Sequence, residues 1–346
     1  CMIYFALAAV SAVIFVNGWT DAPNAVAACV GSRSMTAGRA VAMAAVFDLV
    51  GALLALPLGA GVAESVYYIA DFGRDGMPAL CAGMCAVVVW AVTAWWFGIP
   101  TSESHALIAA LSGAAVARGG LGALDSRSWG GVCLGLALST LPAFLLGRVG
   151  SSVIRSLFRH ADRPRVMPHF VRAQRLGAAT GALLHGLQDG QKFMGIIALI
   201  LALNRGGTAG GMLGHIVGGT TGESVGTGFR LPVGVVIYCA CLMSAGTVLG
   251  GRRIIKRVAF DMVSLDPPRG VAADIASAVC LGGCTLAGLP VSTTHARTCA
   301  VLGAGRADRR GRREVRGLLA AWGLTFPACG ALGYGFTRLI MLLGGA

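Results

Sequence analysis

Apolar residues run along this chain in long segments, without the two-residue alternation of half-buried strands. The segments are 2–30, 40–60, 78–117, 128–147, 177–203, 231–250, 272–305 and 318–343. They lie near or beyond the roughly 20 residues that a helix needs to cross a bilayer. Nothing in the pattern favours a β-barrel. An all-α polytopic membrane protein is therefore predicted. The weakly hydrophobic stretches 64–75 and 208–228 leave room for further short helices.

Two of these segments are interrupted by related phrases, G-I-P-T-S-E-S-H-A at 98–106 and G-L-P-V-S-T-T-H-A at 288–296. A second related pair lies upstream, G-W-T-D-A-P-N-A at 18–25 and G-L-Q-D-G-Q-K-F at 186–193. Each pair keeps the same order in the two halves, so the chain reads as a duplication. Polar, helix-breaking residues at matching places in two apolar halves point to a central binding site between repeats.

Charge supplies the orientation. Only 12% of residues are charged and 55% are hydrophobic, with a mean hydropathy of +0.73, whereas soluble proteins carry about 25% charged residues. The net charge of +13 is concentrated: 148–175, 252–257 and 306–316 hold 17 of the 28 Lys and Arg. Basic clusters between apolar spans mark cytoplasmic loops facing anionic lipid, and nucleic acid is not an expected partner. With those clusters inside, segments 177–203 and 231–250 go out and return, and 272–305 forms a hairpin, re-entrant or of two crossings. The same pattern in the first half gives three crossings and a hairpin, with the chain beginning outside. An odd number of crossings inserts the second half upside down. The expected organisation is an inverted repeat at 1–150, a basic cytoplasmic linker at 151–175 and a second repeat at 176–346. Each repeat is expected to hold a broken first helix and a re-entrant helical hairpin.

The interruptions carry the chemistry. Unsatisfied backbone at membrane depth must be buried in protein or line a watery cavity. Pro100 and Pro290 each halt a helix, and hydroxyl residues follow as helix-start signals. A half-helix N-terminus offers free N–H groups and a partial positive charge, which suits an oxyanion such as phosphate or sulfate. Thr101, Ser102, Ser104, Ser292, Thr293 and Thr294 add hydroxyl donors without a full charge. Asp21 and Asp189 are carboxylates within apolar stretches, flanked by Asn24, Gln188 and Gln191. An ionisable group at the bilayer centre costs about 2.5–3.5 kcal/mol or more, so each marks a functional position. Such oxygen ligands suit Na⁺, and a carboxylate alone suits H⁺. Their matching positions place Asp21 and Asp189 close together near the midplane. Lys192, one of two lysines, is poised to pair with Asp189 or to face the anion.

At these residues the chain resembles the PiT family of inorganic phosphate transporters, in its bacterial form. N-G-W-T-D-A-P-N-A followed by Gly31 and Ser32 is similar to the first family signature, and H-G-L-Q-D-G-Q-K-F-M-G-I-I-A-L to the second. P-T-S-E-S-H-A-L and P-V-S-T-T-H-A resemble the two substrate hairpins. The resemblance covers nearly the whole chain. It implies Na⁺- or H⁺-coupled symport of inorganic phosphate by alternating access in a bacterial inner membrane, with no other cofactor. It carries an anion-binding role to Ser102, Ser104, Ser292, Thr293 and Thr294, and a cation-binding role, Na⁺ included, to Asp21, Asn24 and Asp189. Thr20 and Gln188 stand where the family commonly has Asn; both remain oxygen ligands. Glu103 adds a carboxylate within the first hydroxyl cluster, which must point away or carry a proton. Sulfate permease is the alternative within the family, and an anion channel shares the pore chemistry. Oligomeric state is open, a homo-oligomer included.

Other residues read more plainly. Ser102 or Ser104 beside His105 is the one nucleophile–base candidate for an intramembrane hydrolase, and adjacent residues at a helix start do not face one another; no enzyme is expected. His105 and His295 read as buried donors to carbonyls, Asp48 as a paired buried acid or a site member, and His215 and Glu223 as loop residues. Most cysteines lie within apolar runs as small hydrophobes; with Cys1 before Met2 and no basic n-region no signal peptide is expected, and the start reads as trimmed rather than as a lipid-modified Cys. Orientation is directly testable. Impermeant labelling of single cysteines in sealed cells is expected to miss the loops around Arg163, Arg253 and Arg310 and to reach both termini. Strong outside labelling near Arg163 would overturn the inverted arrangement.

Overall fold

In the computed structural model, residues 2–97, 101–204, 229, 231–250, 255–256, 264–305 and 309–343 are described, the side chains of 309–312 excepted. His215, Glu223, Pro100 and Arg253 lie outside them. The described residues form helices α1 (Met2–Thr20), α2 (Pro23–Gly31), α3 (Ala37–Leu53), α4 (Ala55–Leu58), α5 (Gly61–Tyr67), α6 (Met77–Trp96) and α7 (Glu103–Gly119). A 3₁₀ turn at Leu121–Ala123 leads to α8 (Ser126–Leu157), α9 (Arg163–Asn204), α10 (Val233–Leu249), α11 (Pro267–Leu286), α12 (Thr293–Ala304) and α13 (Arg309–Leu343). Among the described residues, six helical segments are long and apolar enough to cross a membrane: Met2–Gly31, Ala37–Leu58, Met77–Trp96, Ser126–Leu157, Pro267–Leu286 and Arg313–Leu343. The chain is an all-α, multi-pass membrane protein. Its polarity is arranged accordingly: α8 exposes Leu134, Leu138, Leu141 and Leu145, while Asp21, Asp189, Glu103 and Lys192 are buried.

The first helix is broken as expected. Pro23 has no N–H to give and crowds the preceding turn. The chain passes the break by i to i−3 bonds, Asn24 N–H to Asp21 O (3.0 Å) and Ala25 N–H to Ala22 O (2.9 Å). The second half departs from this expectation: α9 runs unbroken through Asp189. Gln191 occupies the place corresponding to Pro23 and keeps its N–H, so nothing stops the helix. The basic stretch 151–175 is also largely helical, shared between the end of α8 and the start of α9.

The two hairpins, α6–α7 and α11–α12, begin their second arms alike. Ser102 Oγ accepts from the His105 N–H at 3.2 Å, and Ser292 Oγ from the His295 N–H at 3.1 Å. Gly288, with φ of +67°, makes the left-handed turn that leaves α11.

Close glycine contacts join the halves. A β-carbon on Gly18 would strike the carbonyl of Met243, and one on Gly246 that of Phe15, joining α1 to α10. Gly51 meets Leu183 and Gly186 meets Asp48 between α3 and α9. Gly113 and Gly333 do the same for α7 and α13, as do Gly147 and Gly303 for α8 and α12. In every case the struck carbonyl lies three residues before the partner glycine. Reciprocal small-residue notches of this kind let backbones touch where lipid supplies no hydrophobic drive, with Cα–H···O contacts between them. The pairing is symmetric: α1 with α10 and α9 with α3, α8 with α12 and α13 with α7. α3 and α9 run in the same direction, since Asp48 meets Gly186 and Ala52 meets Gly190. α10 runs against α3, Gly250 lying by Val41 and Ser244 bonding Ala45 O.

These notches should be intolerant of side chains. Gly186→Leu is expected to lower thermal stability in detergent by about 1–3 kcal/mol or more through overpacking. Gly38→Ala, with nothing within 4 Å, should be neutral or up to about 1 kcal/mol stabilising. Equal losses in both variants would overturn the close-contact account.

Candidate functional site

Four elements converge on one buried cluster: the α1–α2 break, the middle of α9, and the starts of α7 and α12. The break brings Asn17, Asp21 and Asn24; α9 brings His185, Asp189 and Lys192; the hairpins bring Glu103, Ser104, Thr293 and Thr294. All are buried. Asp189 is its hub. One carboxylate oxygen takes a hydrogen bond from Lys192 Nζ at 2.6 Å. The other accepts from Thr293 Oγ1 at 3.2 Å and from Asn17 Nδ2 at 3.4 Å, with His185 Nε2 at 3.4 Å. Lys192 Nζ also donates to Ser104 Oγ at 2.6 Å and to the Val291 carbonyl. A single ammonium thus ties the first hairpin to the second.

Asp21 holds the opposite side. Thr294 donates to its Oδ1, and Asn24 Nδ2 donates to the same oxygen at 3.0 Å and to Thr294 Oγ1 at 3.1 Å. Asp21, Asp189 and Glu103 are buried in the same cluster, where like charges in a medium of low polarity repel one another. Ligand atoms of Asp21, His185 and Asp189 lie within 4.8 Å of one another. Among the described residues, Asn17 Oδ1, Asp21 Oδ2, Asn24 Oδ1 and Glu103 Oε2 are buried acceptors with no hydrogen-bond donor. Buried polar atoms in native proteins are nearly always partnered, so this set of oxygens is suited to a hard cation.

The structure brings Asp21, Asn24, Asp189, Ser104, Thr293 and Thr294 together. Ser102 and Ser292 serve as N-caps beside them, and Thr101 is buried just ahead of α7. Three other candidates turn elsewhere. The Thr20 hydroxyl bonds back to Val16 O at 2.8 Å. Gln188 braces the second hairpin, accepting from Thr285 Oγ1 at 2.5 Å and donating to Leu289 O at 2.9 Å. Gln191 accepts from Val62 N–H at 3.1 Å, fixing α5. His105 and His295, expected to donate to carbonyls, instead meet edge to face at 4.4 Å and pack on Phe326 and Trp322.

Two contributors lacked an assigned role in the sequence reading. Asn17 stands one turn before Asp21. His185 stands one turn before Asp189 and reaches Asp48 Oδ1 at 3.0 Å, whose other oxygen accepts from Thr247 Oγ1 at 2.8 Å. The i, i+4 spacing in α1 and α9 was the available signal.

The profile of the phosphate transporter family matches residues 17–171 and again 158–333, once for each half. The chain belongs to the phosphate transporter family. Among relatives of this family member, the probable low-affinity inorganic phosphate transporter of Bacillus subtilis (strain 168) is 31% identical over 324 residues, covering 92% of this chain and 91% of that protein. The corresponding protein of Mycobacterium tuberculosis (strain ATCC 25618 / H37Rv) is 33% identical over 335 residues, 96% of this chain and 76% of its own. A solved sodium-dependent phosphate transporter shares the fold, with a TM-score of 0.75 across 99% of both chains at 17% identity.

Within this phosphate transporter family chain, Lys192 is the one lysine at the cluster, and its removal strands a buried carboxylate. Breaking one partner of a buried pair costs about 3–5 kcal/mol. Lys192→Met is therefore expected to lower the melting temperature of the detergent-solubilised protein markedly; a melting temperature equal to the parent's would show that Asp189 does not depend on it.

Proposed function

We propose that this protein is a cation-coupled symporter of inorganic phosphate that works by alternating access, and is neither an enzyme nor a channel. The observation that carries this reading is the meeting of hydroxyl-bearing hairpin starts with Asp21 and Asp189 at one buried centre. Thr101, Ser102, Ser104, Ser292, Thr293 and Thr294 are the proposed phosphate ligands. Two carboxylates and a phosphate repel one another unless cations lie between them. Cation binding therefore precedes or accompanies anion binding, and each raises affinity for the other. Na⁺ is the favoured ion, at Asp21, Asn24 and Asp189 with Asn17 added. The unpartnered oxygens there support it, and so does the name of the solved relative that shares the fold. Sulfate is the alternative anion.

The inverted arrangement has support in helix direction: α9 runs with α3, α3 runs against α10, and α10 runs with α1, as Ser11–Tyr238 and Gly18–Met243 indicate. α9, the counterpart of α1, thus points the opposite way. Access from two sides has support as well. A cavity of about 690 Å³ reaches Gly288 and Leu289 at the second hairpin's tip, where Gly61 packs and Ser65 Oγ donates to Gly288 O at 2.9 Å. A basin of about 440 Å³ with Arg33, Arg39 and Arg175 lies at the other end of α3. The basic face is assigned to the cytoplasm.

Radiolabelled phosphate uptake into proteoliposomes tests the proposal. A Na⁺ gradient is expected to concentrate phosphate, with sulfate competing weakly. Asp21→Asn and Asp189→Asn should fold yet lose gradient-driven accumulation. Failure of both Na⁺ and H⁺ gradients sinks the assignment; parent-like accumulation by both variants removes the acids from coupling.

A further inference from the structure

Below the central cluster, on the side of the Arg33, Arg39 and Arg175 basin, lies a second buried charged group. Arg297 stands one turn beyond Thr293 and Thr294 on α12, and it is only 4% exposed. Its Nη1 donates to the Ala25 carbonyl at 2.6 Å and lies 3.7 Å from Asp274 Oδ1 on α11. Arg297 Nε and Nη2, Thr298 Oγ1 and Gln174 Nε2 are buried donors with no acceptor among the described residues. A buried guanidinium held by one carbonyl and one loose carboxylate contact is poorly satisfied, and packing alone does not account for it.

Glycines make room for these polar groups. A β-carbon on Gly181 would fall on Arg297 Nη2, one on Gly177 would meet Asp274, and one on Gly270 would meet Gln174. On α9, Gln174, Gly177, Gly181, His185, Asp189 and Lys192 follow one another at three or four residues, which is a single helix face. Beyond Arg297 the polar line continues. Gln174 Oε1 accepts from Ser32 Oγ at 2.7 Å and from Ser34 Oγ at 3.1 Å, and Arg175 Nε donates to Ser34 O at 2.8 Å at the basin. Buried polar groups on neighbouring elements, Arg297, Asp274 and Gln174, thus lie between the central cluster and the three arginines of the basin.

We propose that Arg297 is a second anion-binding site, a way-station for a tetrahedral oxyanion between the central site and the basic basin, with Asp274 holding the guanidinium while the station is empty. A guanidinium presents paired donors that match two phosphate oxygens, and Thr298 supplies a third donor on the next residue. The anion displaces the Asp274 carboxylate from Arg297, and the like charge of Asp274 then limits how long it stays. This inference rests on the phosphate-transport reading and adds a step to it.

The test compares the parent, Arg297→Gln, Asp274→Asn and the double variant, in cation-dependent binding of radiolabelled phosphate and in proteoliposome uptake. Arg297→Gln is expected to bind phosphate at the central site as the parent does but to take it up at least about tenfold more slowly. The double variant should stay slow. A parent that neither binds nor accumulates phosphate sinks the transport reading itself. A competent parent with parent-like uptake by Arg297→Gln overturns this inference alone. Recovery in the double variant also overturns it, because removing both charges repairs a merely structural ion pair. Should Arg297→Gln not fold, Arg297→Lys decides: it keeps the charge but loses the two-pronged donor, and uptake at the parent's rate overturns the proposal.

Discussion

A carboxylate buried in a bilayer must be neutralised, and the way Asp189 is neutralised organises the protein. Its two oxygens draw in Lys192 from one turn ahead on α9, Thr293 from the second hairpin, Asn17 from α1 and His185 from one turn behind. Lys192 in turn holds Ser104 of the first hairpin and the Val291 carbonyl of the second. Neither hairpin start can move far without unsatisfying a charge in a medium of low polarity, where such a loss is costly. The cluster therefore acts as a clasp between the hairpins. A cation that joins Asp21 Oδ2 to Asp189 leaves the Thr294 bond to Asp21 Oδ1 in place but competes with Thr293 for the oxygen of Asp189. Under the proposed mechanism, that competition frees the Thr293 hydroxyl to face an anion.

The glycine notches give the clasp its frame. Helices held by reciprocal backbone contact cannot slide without loss of fit, so the four pairs α1–α10, α3–α9, α7–α13 and α8–α12 form fixed seams between the halves. Each seam joins one half to the other. The duplicated sequence therefore gives two interlocked halves, with the buried polar cluster placed where they meet. The contrast between the breaks matters here. α2 begins at Pro23, so Asp21 sits at a break closed by i to i−3 bonds, whereas Asp189 sits on a continuous helix.

Much of this was legible in the residues. Apolar run length fixed the helices, and the hydroxyl phrases with Asp21 and Asp189 marked the centre, because charges and helix breaks are rare at membrane depth and stand out. What escaped was partner choice. Gln188 and Gln191 flank Asp189 in sequence, but on a helix adjacent residues face different ways, and both amides serve the hairpin tip and α5. Thr20 satisfies its own helix, as hydroxyls in membrane helices commonly do. His185 and Asn17 sit at the i, i+4 spacing that does face the acids, so the helical period was the better guide than adjacency. A broken helix was inferred for α9 from likeness to the first half, although the residue that breaks α1, Pro23, has no counterpart there.

Arg297 drew no assignment from the sequence, because the hydroxyl cluster just before it accounted for that stretch. Its burial marks it out. A snorkelling arginine needs its head in water, whereas this one is enclosed by α2, α9 and α11, beside the Gly181 notch that admits it. A glycine that opens space for a guanidinium, on the face of α9 that also carries Asp189 and Lys192, ties the arginine to the central site through one rigid element. Charges of both signs lie on or against α9, Arg175, Asp189 and Lys192 on the helix itself and Asp274 and Arg297 packed beside its Gly177 and Gly181. Under the proposed mechanism, this mixture of signs keeps any one position from holding an anion too tightly.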